Sequence, residues 1–355
     1  MKKDKVFYLH IPKTAGSSLN KFFSSQFSEQ DSLIHIESKN IFENEISIEK
    51  AKEYKFLSGH IALPMMQHKL NVFNDRTTIA TFRIPLEHVI SHIAWVRKLG
   101  EPAEEARLKQ HTQIIQNIVE KLVQTDLSNA KEITQLIAWL EENNIYLFHD
   151  TQTKYLSGGP AGKVSPTLFN QAHINLNKLD FVGTVERLDE FLALLCFKNG
   201  WKFHETTKIV ENKNDKTYGM DIHNSTIQQA LQPLIEWDNV IYRIARERFI
   251  DDIHDFLAEL EKASYARFST VKDTSTLHQV LGGNNLVAHS FFTQGQLDQM
   301  VSDNYQKPDF LRDITRLLLQ RGDIRNADKL ISKALELRPD GPAIIQLKQM
   351  VSETK

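Results

Sequence analysis

The spacing of apolar positions changes several times between the amino terminus and about Phe268, and each change predicts an element. Val6-Phe7-Tyr8-Leu9 is β-branched, aromatic and apolar without interruption, as a buried parallel strand would be. After it, Leu19, Phe22, Phe23 and Phe27 recur at spacings that suit one face of a helix. The order is therefore strand, short loop, helix. Tyr54 to Ile61, Thr77 to Phe82 and Phe181 to Thr184 are further strand candidates. Pro85 to Lys98 has helical spacing, with Pro85 fitting the first turn. Arg187 to Asn199 is another such stretch, apolar at Leu188, Phe191, Leu192, Leu195 and Cys196. Strands alternating with helices predict an α/β layer architecture with a mostly parallel sheet.

Two regions read differently. Glu101 to Asn144 is dominated by Gln, Glu, Lys, Leu and Ile, has Pro102 as its only proline, and lacks glycine. That composition predicts an all-helical insertion over 101–150, placed to act as a lid or a substrate-selecting wall. Leu231 to Ala263 forms a long helical stretch with aromatics at Trp237, Tyr242, Phe249 and Phe256, and Pro233 sits in its first turn or marks a break. Beyond Phe268 the alternation stops, and Gly282-Gly283-Asn284-Asn285 reads as a turn or loop. Near the end, Gly322, Ala327 and Ala334 with Pro339 resemble the second half of a tetratricopeptide repeat. Leu311, Ile314 and Leu318 would form the apolar face of its first helix. One repeat cannot bury its face alone, so it must pack on neighbouring helices or on the main domain.

Length and charge narrow the function classes. At roughly 100–200 residues per domain, 355 residues suggest two domains, or one large domain with an appendage. Hydrophobic residues at 41% and charged residues at 25% are ordinary globular values and argue against wholesale disorder. The formal net charge of −2 supplies no global field for a nucleic acid, so any anion site must be local. The single cysteine, Cys196, cannot form an internal disulfide, and a reducing compartment is the simpler expectation. Every apolar run stops short of the ~18–20 residues needed to cross a bilayer, and Val6–Leu9 is too short for a signal-peptide core. The expected location is the cytoplasm.

One local patch stands out. Lys2, Lys3, Lys5, Lys13 and Lys21 face only Asp4 in the amino-terminal stretch. Within it, the loop His10-Ile11-Pro12-Lys13-Thr14-Ala15-Gly16-Ser17-Ser18 joins the first strand to its helix. The first N–H groups of a helix lack intrahelical partners, and its dipole adds roughly half a positive charge, so such a loop can cradle an anion. Gly16 lets the backbone approach closely, Thr14, Ser17 and Ser18 offer hydroxyls, and Lys13 supplies a point charge. A Walker loop carries lysine directly after its second glycine. Here lysine precedes the only glycine by three residues, so the usual nucleoside-triphosphate reading fails on spacing.

The loop resembles instead the 5′-phosphosulfate loop of sulfotransferases of the heparan sulfate 2-O-sulfotransferase type, which use 3′-phosphoadenosine 5′-phosphosulfate (PAPS). Other segments resemble later blocks of that family in order. Leu57-Ser58-Gly59-His60 is similar to the segment carrying its catalytic histidine, and Thr81 to His92 to its 3′-phosphate element, with Arg83 and Ser91 eight apart. Tyr155-Leu156-Ser157-Gly158 and Val182 to Phe191 follow. The resemblance covers roughly residues 5 to 255. It implies a P-loop-like sheet flanked by helices, PAPS as sulfuryl donor, 3′-phosphoadenosine 5′-phosphate (PAP) as product, and no metal. It also implies Lys13 on the leaving phosphate, Thr14, Ala15, Gly16, Ser17 and Ser18 on the 5′-phosphate, Arg83 and Ser91 on the 3′-phosphate, and His60 as general base. Histidine's ordinary pKa near ~6.5 leaves much of it neutral at pH 7, as a base requires. Ile84 stands where the family has aspartate, which puts a helix-start contact in doubt. The late cofactor-closing loop is only vaguely matched by Asn212-Lys213-Asn214-Asp215-Lys216-Thr217.

Other residues carry plainer readings. His88 and His92 have zinc-pair spacing without a nearby third ligand, and read as a surface or cofactor-adjacent helix. Trp95 reads as core or as an adenine or acceptor contact, Cys196 as a small core residue, and Lys154 and Tyr155 as acceptor-side or structural. The expected domains are 1–265 (sulfotransferase, with the 101–150 insertion), 266–306 (connecting) and 307–355 (tetratricopeptide-like). The acceptor would be a hydroxyl on a carbohydrate or small metabolite. A kinase is disfavoured by the lysine spacing and the missing magnesium ligand. A further alternative is a nucleotide-sensing adaptor whose C-terminal helices bind a protein partner.

Overall fold

A computed structural model describes residues 3–39, 47–158, 162–201, 216–268, 301–302, 304–320 and 323–354. The expected turn at Gly282-Gly283-Asn284-Asn285, Gly322, residues 269–300 of the connecting segment and most of Asn212 to Thr217 lie outside these residues. The chain divides into two compact units, Met1–Leu188 with Ile209–Ile250, and Asp189–Lys208 with Asp251–Lys355.

The first unit is built on five parallel strands: β1 Val6–Leu9, β2 Ser32–Ile34, β3 Phe56–Gly59, β4 Thr77–Phe82 and β5 Phe181–Thr184. Their order is β2-β3-β1-β4-β5. Helices cover the sheet, so β1, β3 and β4 are buried along their whole length, which is why they read as unbroken apolar or β-branched runs. The α/β layer expectation holds, and β1, β4 and β5 occupy the spans read from sequence. β3 is shorter than the Tyr54–Ile61 run, and β2 had no counterpart in the reading.

This strand order fixes where ligands can go. The chain leaves β3 on one side of β1 and returns as β4 on the other. The chain after β1 runs back toward β2 while that after β4 runs on to β5, so the connections diverge between β1 and β4, and the crevice beyond their carboxyl ends is where such sheets bind ligands. Leu9 is level with Gly59 and Ala80 across the ladder. The residues that follow β1, β3 and β4 thus emerge together: the His10 loop, His60 and Arg83.

The Glu101–Asn144 stretch is helical as expected, with main helices Gln113–Gln124 and Ala130–Glu142. Their apolar faces, through Ile118, Leu122, Ile133 and Leu136, join Val89 and Ile93 of the Pro85–Lys98 helix in a core separate from that of the sheet. Trp95 lies half-buried at the edge of this core under the Arg107 guanidinium, 5.5 Å away. Pro233 marks a break: a short 3₁₀ turn over Gln232–Leu234 precedes the helix Glu236–Phe268.

In the second unit, helices Pro308–Gln320, Ile324–Leu337 and Pro342–Glu353 bury a core of their own. Leu311, Ile314 and Leu318 face inward, as their spacing predicts. The cover that a lone hairpin lacks comes from the third helix, through Ile344, Leu347 and Val351. Cys196 is a buried free thiol, pushed up to about 12 by burial, which matches a small core residue. Among the described residues no helix is long and apolar enough to cross a membrane.

Candidate functional site

The loop between β1 and the helix Gly16–Gln26 carries two left-handed residues that are not glycine, Lys13 at φ 65° and Ala15 at φ 63°. Each such residue costs on the order of 1–3 kcal/mol and persists only where its surroundings hold it. Here they do. The His10 carbonyl accepts from His60 Nδ1 at 2.7 Å, and the Ile11 carbonyl from Thr14 Oγ1 at 2.9 Å. Pro12 accepts from His88 Nε2 at 2.8 Å, and Thr14 from Thr81 Oγ1 at 2.8 Å. Four loop carbonyls are thus tied down by side chains.

That tethering decides where the amides point. Across a trans peptide the C=O and the following N–H are antiparallel. With the Pro12 and Thr14 carbonyls held by His88 and Thr81, the N–H groups of Lys13 and Ala15 face the opposite way. These two, with the Gly16 and Ser17 amides in the first helical turn, have no acceptor among the described residues. Consecutive amides around left-handed residues form a concavity suited to an anion, and the helix terminus adds to its positive potential.

Two details differ from the sequence reading. Thr14 is fully buried with its single hydroxyl proton committed to Ile11, so it offers an anion its backbone and not its hydroxyl. Gly16 is required because of His10: a Cβ there would overlap the imidazole ring. Ser17 is exposed at the start of the helix and Ser18 is half-buried.

His60 follows β3. A carbonyl can only accept, so Nδ1 carries the proton given to His10 and Nε2 keeps its lone pair. Its backbone N–H donates to Glu37 Oε2 at 2.8 Å, and Gly59 makes room for that carboxylate. Burial pulls His60 below the ordinary imidazole range, with Glu37 pulling back. The His10 ring lies 4.0 Å away and is itself pushed down to about 3, by burial first and then by His60 and His35. Both rings are neutral at pH 7.

Cations surround the loop. Lys13 is held below its usual value by burial, and next by Arg83 and Lys98. Arg83, immediately after β4, pairs with Glu87 through Nε and Nη2 at 3.3 and 3.2 Å. Its backbone is clamped by Gln152, which accepts from its N–H at 2.9 Å and donates to its carbonyl at 3.0 Å. Gln152 is anchored in turn: its N–H and that of Thr153 donate to Asp238, while Asp150 accepts from the amides of Trp237 and Asp238. Ser91 is half-buried one turn beyond His88, on the same helix face. The helix at Pro85 starts without a side-chain cap, and Glu186 takes the Ile84 N–H at 2.8 Å.

His88 and His92 are buried, which corrects the surface alternative; desolvation pushes His88 down to about 4. No group of three His, Cys, Asp or Glu side chains placed to hold a metal ion occurs among the described residues. Lys154 is buried with Nζ donating to the Tyr146 carbonyl at 2.7 Å, and Tyr155 packs against the sheet core, so both serve structure. His10, Glu37, Thr81, Gln152 and the loop-tethering role of His88 were not singled out by sequence reasoning. No family model matches the chain, and no curated protein matches it.

Proposed function

We propose that the chain is a PAPS-dependent sulfotransferase with a P-loop-like domain and a tetratricopeptide-like C-terminal segment, acting in the cytoplasm on a carbohydrate or small-metabolite hydroxyl. One observation carries the reading. The loop after the central strand turns free amides outward around Lys13, while His60, bonded to that same loop, keeps Nε2 for a proton. When bound, PAPS supplies an activated sulfuryl group. In this reading Thr14, Ala15, Gly16, Ser17 and Ser18 line its 5′-phosphate, with the Ala15, Gly16 and Ser17 amides as donors, and Lys13 neutralises charge on the departing phosphate oxygen. Arg83 and Ser91 take the 3′-phosphate, and His60 removes the acceptor proton. The orphaned amides and neighbouring cations fit such a group.

The test is saturable binding of PAP without metal, followed by transfer of radiolabelled sulfate from PAPS across an acceptor panel. Binding of ATP with magnesium and none of PAP would sink the assignment in favour of a kinase.

Glu87 sharpens it. Its carboxylate occupies the guanidinium that the 3′-phosphate needs. Glu87→Gln removes that competing charge and is expected to tighten PAP binding about three- to ten-fold by isothermal titration. Weaker binding would show that Glu87 orients Arg83 instead.

A further inference from the structure

We infer that Thr81 is a positioning residue: its hydroxyl sets the peptide plane that turns the Ala15 amide toward the bound phosphate. This rests on the sulfotransferase reading of the loop. Thr81 lies in β4 with no exposed surface, one strand away from Tyr8 in β1. Its Oγ1 donates to the Thr14 carbonyl at 2.8 Å and lies 3.4 Å from the Thr14 hydroxyl. Because that single proton is spent, the 2.9 Å contact with the Tyr8 phenol must run from Tyr8 to Thr81. The result is a buried chain from Tyr8 to Thr81 to the Thr14 carbonyl, lying beneath the loop.

The chain's last link decides the function. The Thr14 carbonyl and the Ala15 N–H belong to one planar unit, so fixing the first toward the sheet fixes the second away from it. Ala15 is left-handed and carries no side-chain cap, and among the described residues its N–H meets no acceptor that would hold that plane from its own side. Thr14 cannot do so either, since its hydroxyl proton goes to Ile11.

The experiment compares full-length wild type with Thr81→Val, Thr81→Ser, Tyr8→Phe and the double variant Tyr8→Phe/Thr81→Val, using PAP as the probe. Valine keeps the volume and loses the hydroxyl; serine keeps the hydroxyl and loses a methyl. The expected order is affinity close to wild type for Thr81→Ser and Tyr8→Phe, and about ten-fold weaker for both valine variants. The double variant matters because it leaves no orphaned phenol, so its weak binding cannot be blamed on a damaged core. A packing role predicts the reverse, with Thr81→Ser worse than Thr81→Val. That order, or equal binding by all variants, overturns the inference alone. A wild-type protein that binds no PAP removes the sulfotransferase reading, and the inference with it.

Discussion

Replacing His60 by alanine is expected to lower turnover by about 10²–10⁴ while PAP affinity stays nearly unchanged. The expectation follows from the ring's two nitrogens. Nδ1 is committed to the His10 carbonyl, so Nε2 alone can accept an acceptor proton. Removing the ring removes that acceptor, whereas the loop amides keep three of their four carbonyl anchors. Burial has also lowered the pKa, so the base is already neutral at pH 7. kcat/KM should therefore be flat above pH ~6.5 and fall only at more acidic pH, where the imidazole of the free protein binds a proton. The measurement is steady-state transfer of labelled sulfate beside PAP titration. Full activity in His60→Ala would take the residue out of the chemistry. A parallel collapse of PAP affinity would make it a loop anchor instead.

How much of this was visible beforehand depends on the range of each interaction. β1 and β4 were legible because a strand buried on both faces leaves no polar alternation to misread. β2 was not: it has three residues, and only Leu33 among them is buried. The β3 run read too long because Tyr54 and Ile61 are apolar flanks, and Ile61 is buried beyond the strand end. At the site, Lys13 and Gly16 announce an anion loop by residue type alone. His60 does not, being one of 14 histidines, and it was singled out only through resemblance. Its partner Glu37 is 23 residues away, and Gln152 is 69 from Arg83. Tethers of that span leave no periodic trace, since they depend on which strand ends the fold brings together. Thr14 shows the converse, a hydroxyl whose type suggested a ligand contact and whose geometry turns it inward.

Mild acid is expected to unfold the first unit, because it stores several histidines in neutral form. His10 is pushed down to about 3 and His88 to about 4, each mainly by burial, and His60 and His92 are shifted the same way. In the unfolded chain all four titrate near ~6.5. Below that pH the unfolded state binds protons that the native state refuses, so their stabilising contribution is complete above pH ~6.5 and is lost as pH falls. Each histidine contributes a slope of about 1.4 kcal/mol per pH unit, so His10 and His88 alone give about 3. Asp150 works in the opposite direction. Burial and the neighbouring Asp238 raise it to about 7, and Asp238 is raised too. These carboxylates take up protons on acidification more readily folded than unfolded, which adds stability as pH falls toward the ordinary carboxylate range. The two carboxylates offset part of that slope, while His60, His92 and His149, all lowered mainly by burial, add to it, so a net loss of stability is expected as pH falls below ~6.5. A domain stable by about 5–15 kcal/mol cannot sustain that slope far below pH 6. Urea titrations at pH 7.5, 6.5 and 5.5 should show a larger fall in stability between the second and third than between the first and second. Stability that is level or rising down to pH 5.5 would mean that the carboxylates win. His92→Leu, which deletes one buried titrating ring, should then make the decline shallower, and an unchanged slope would exclude His92 from the effect.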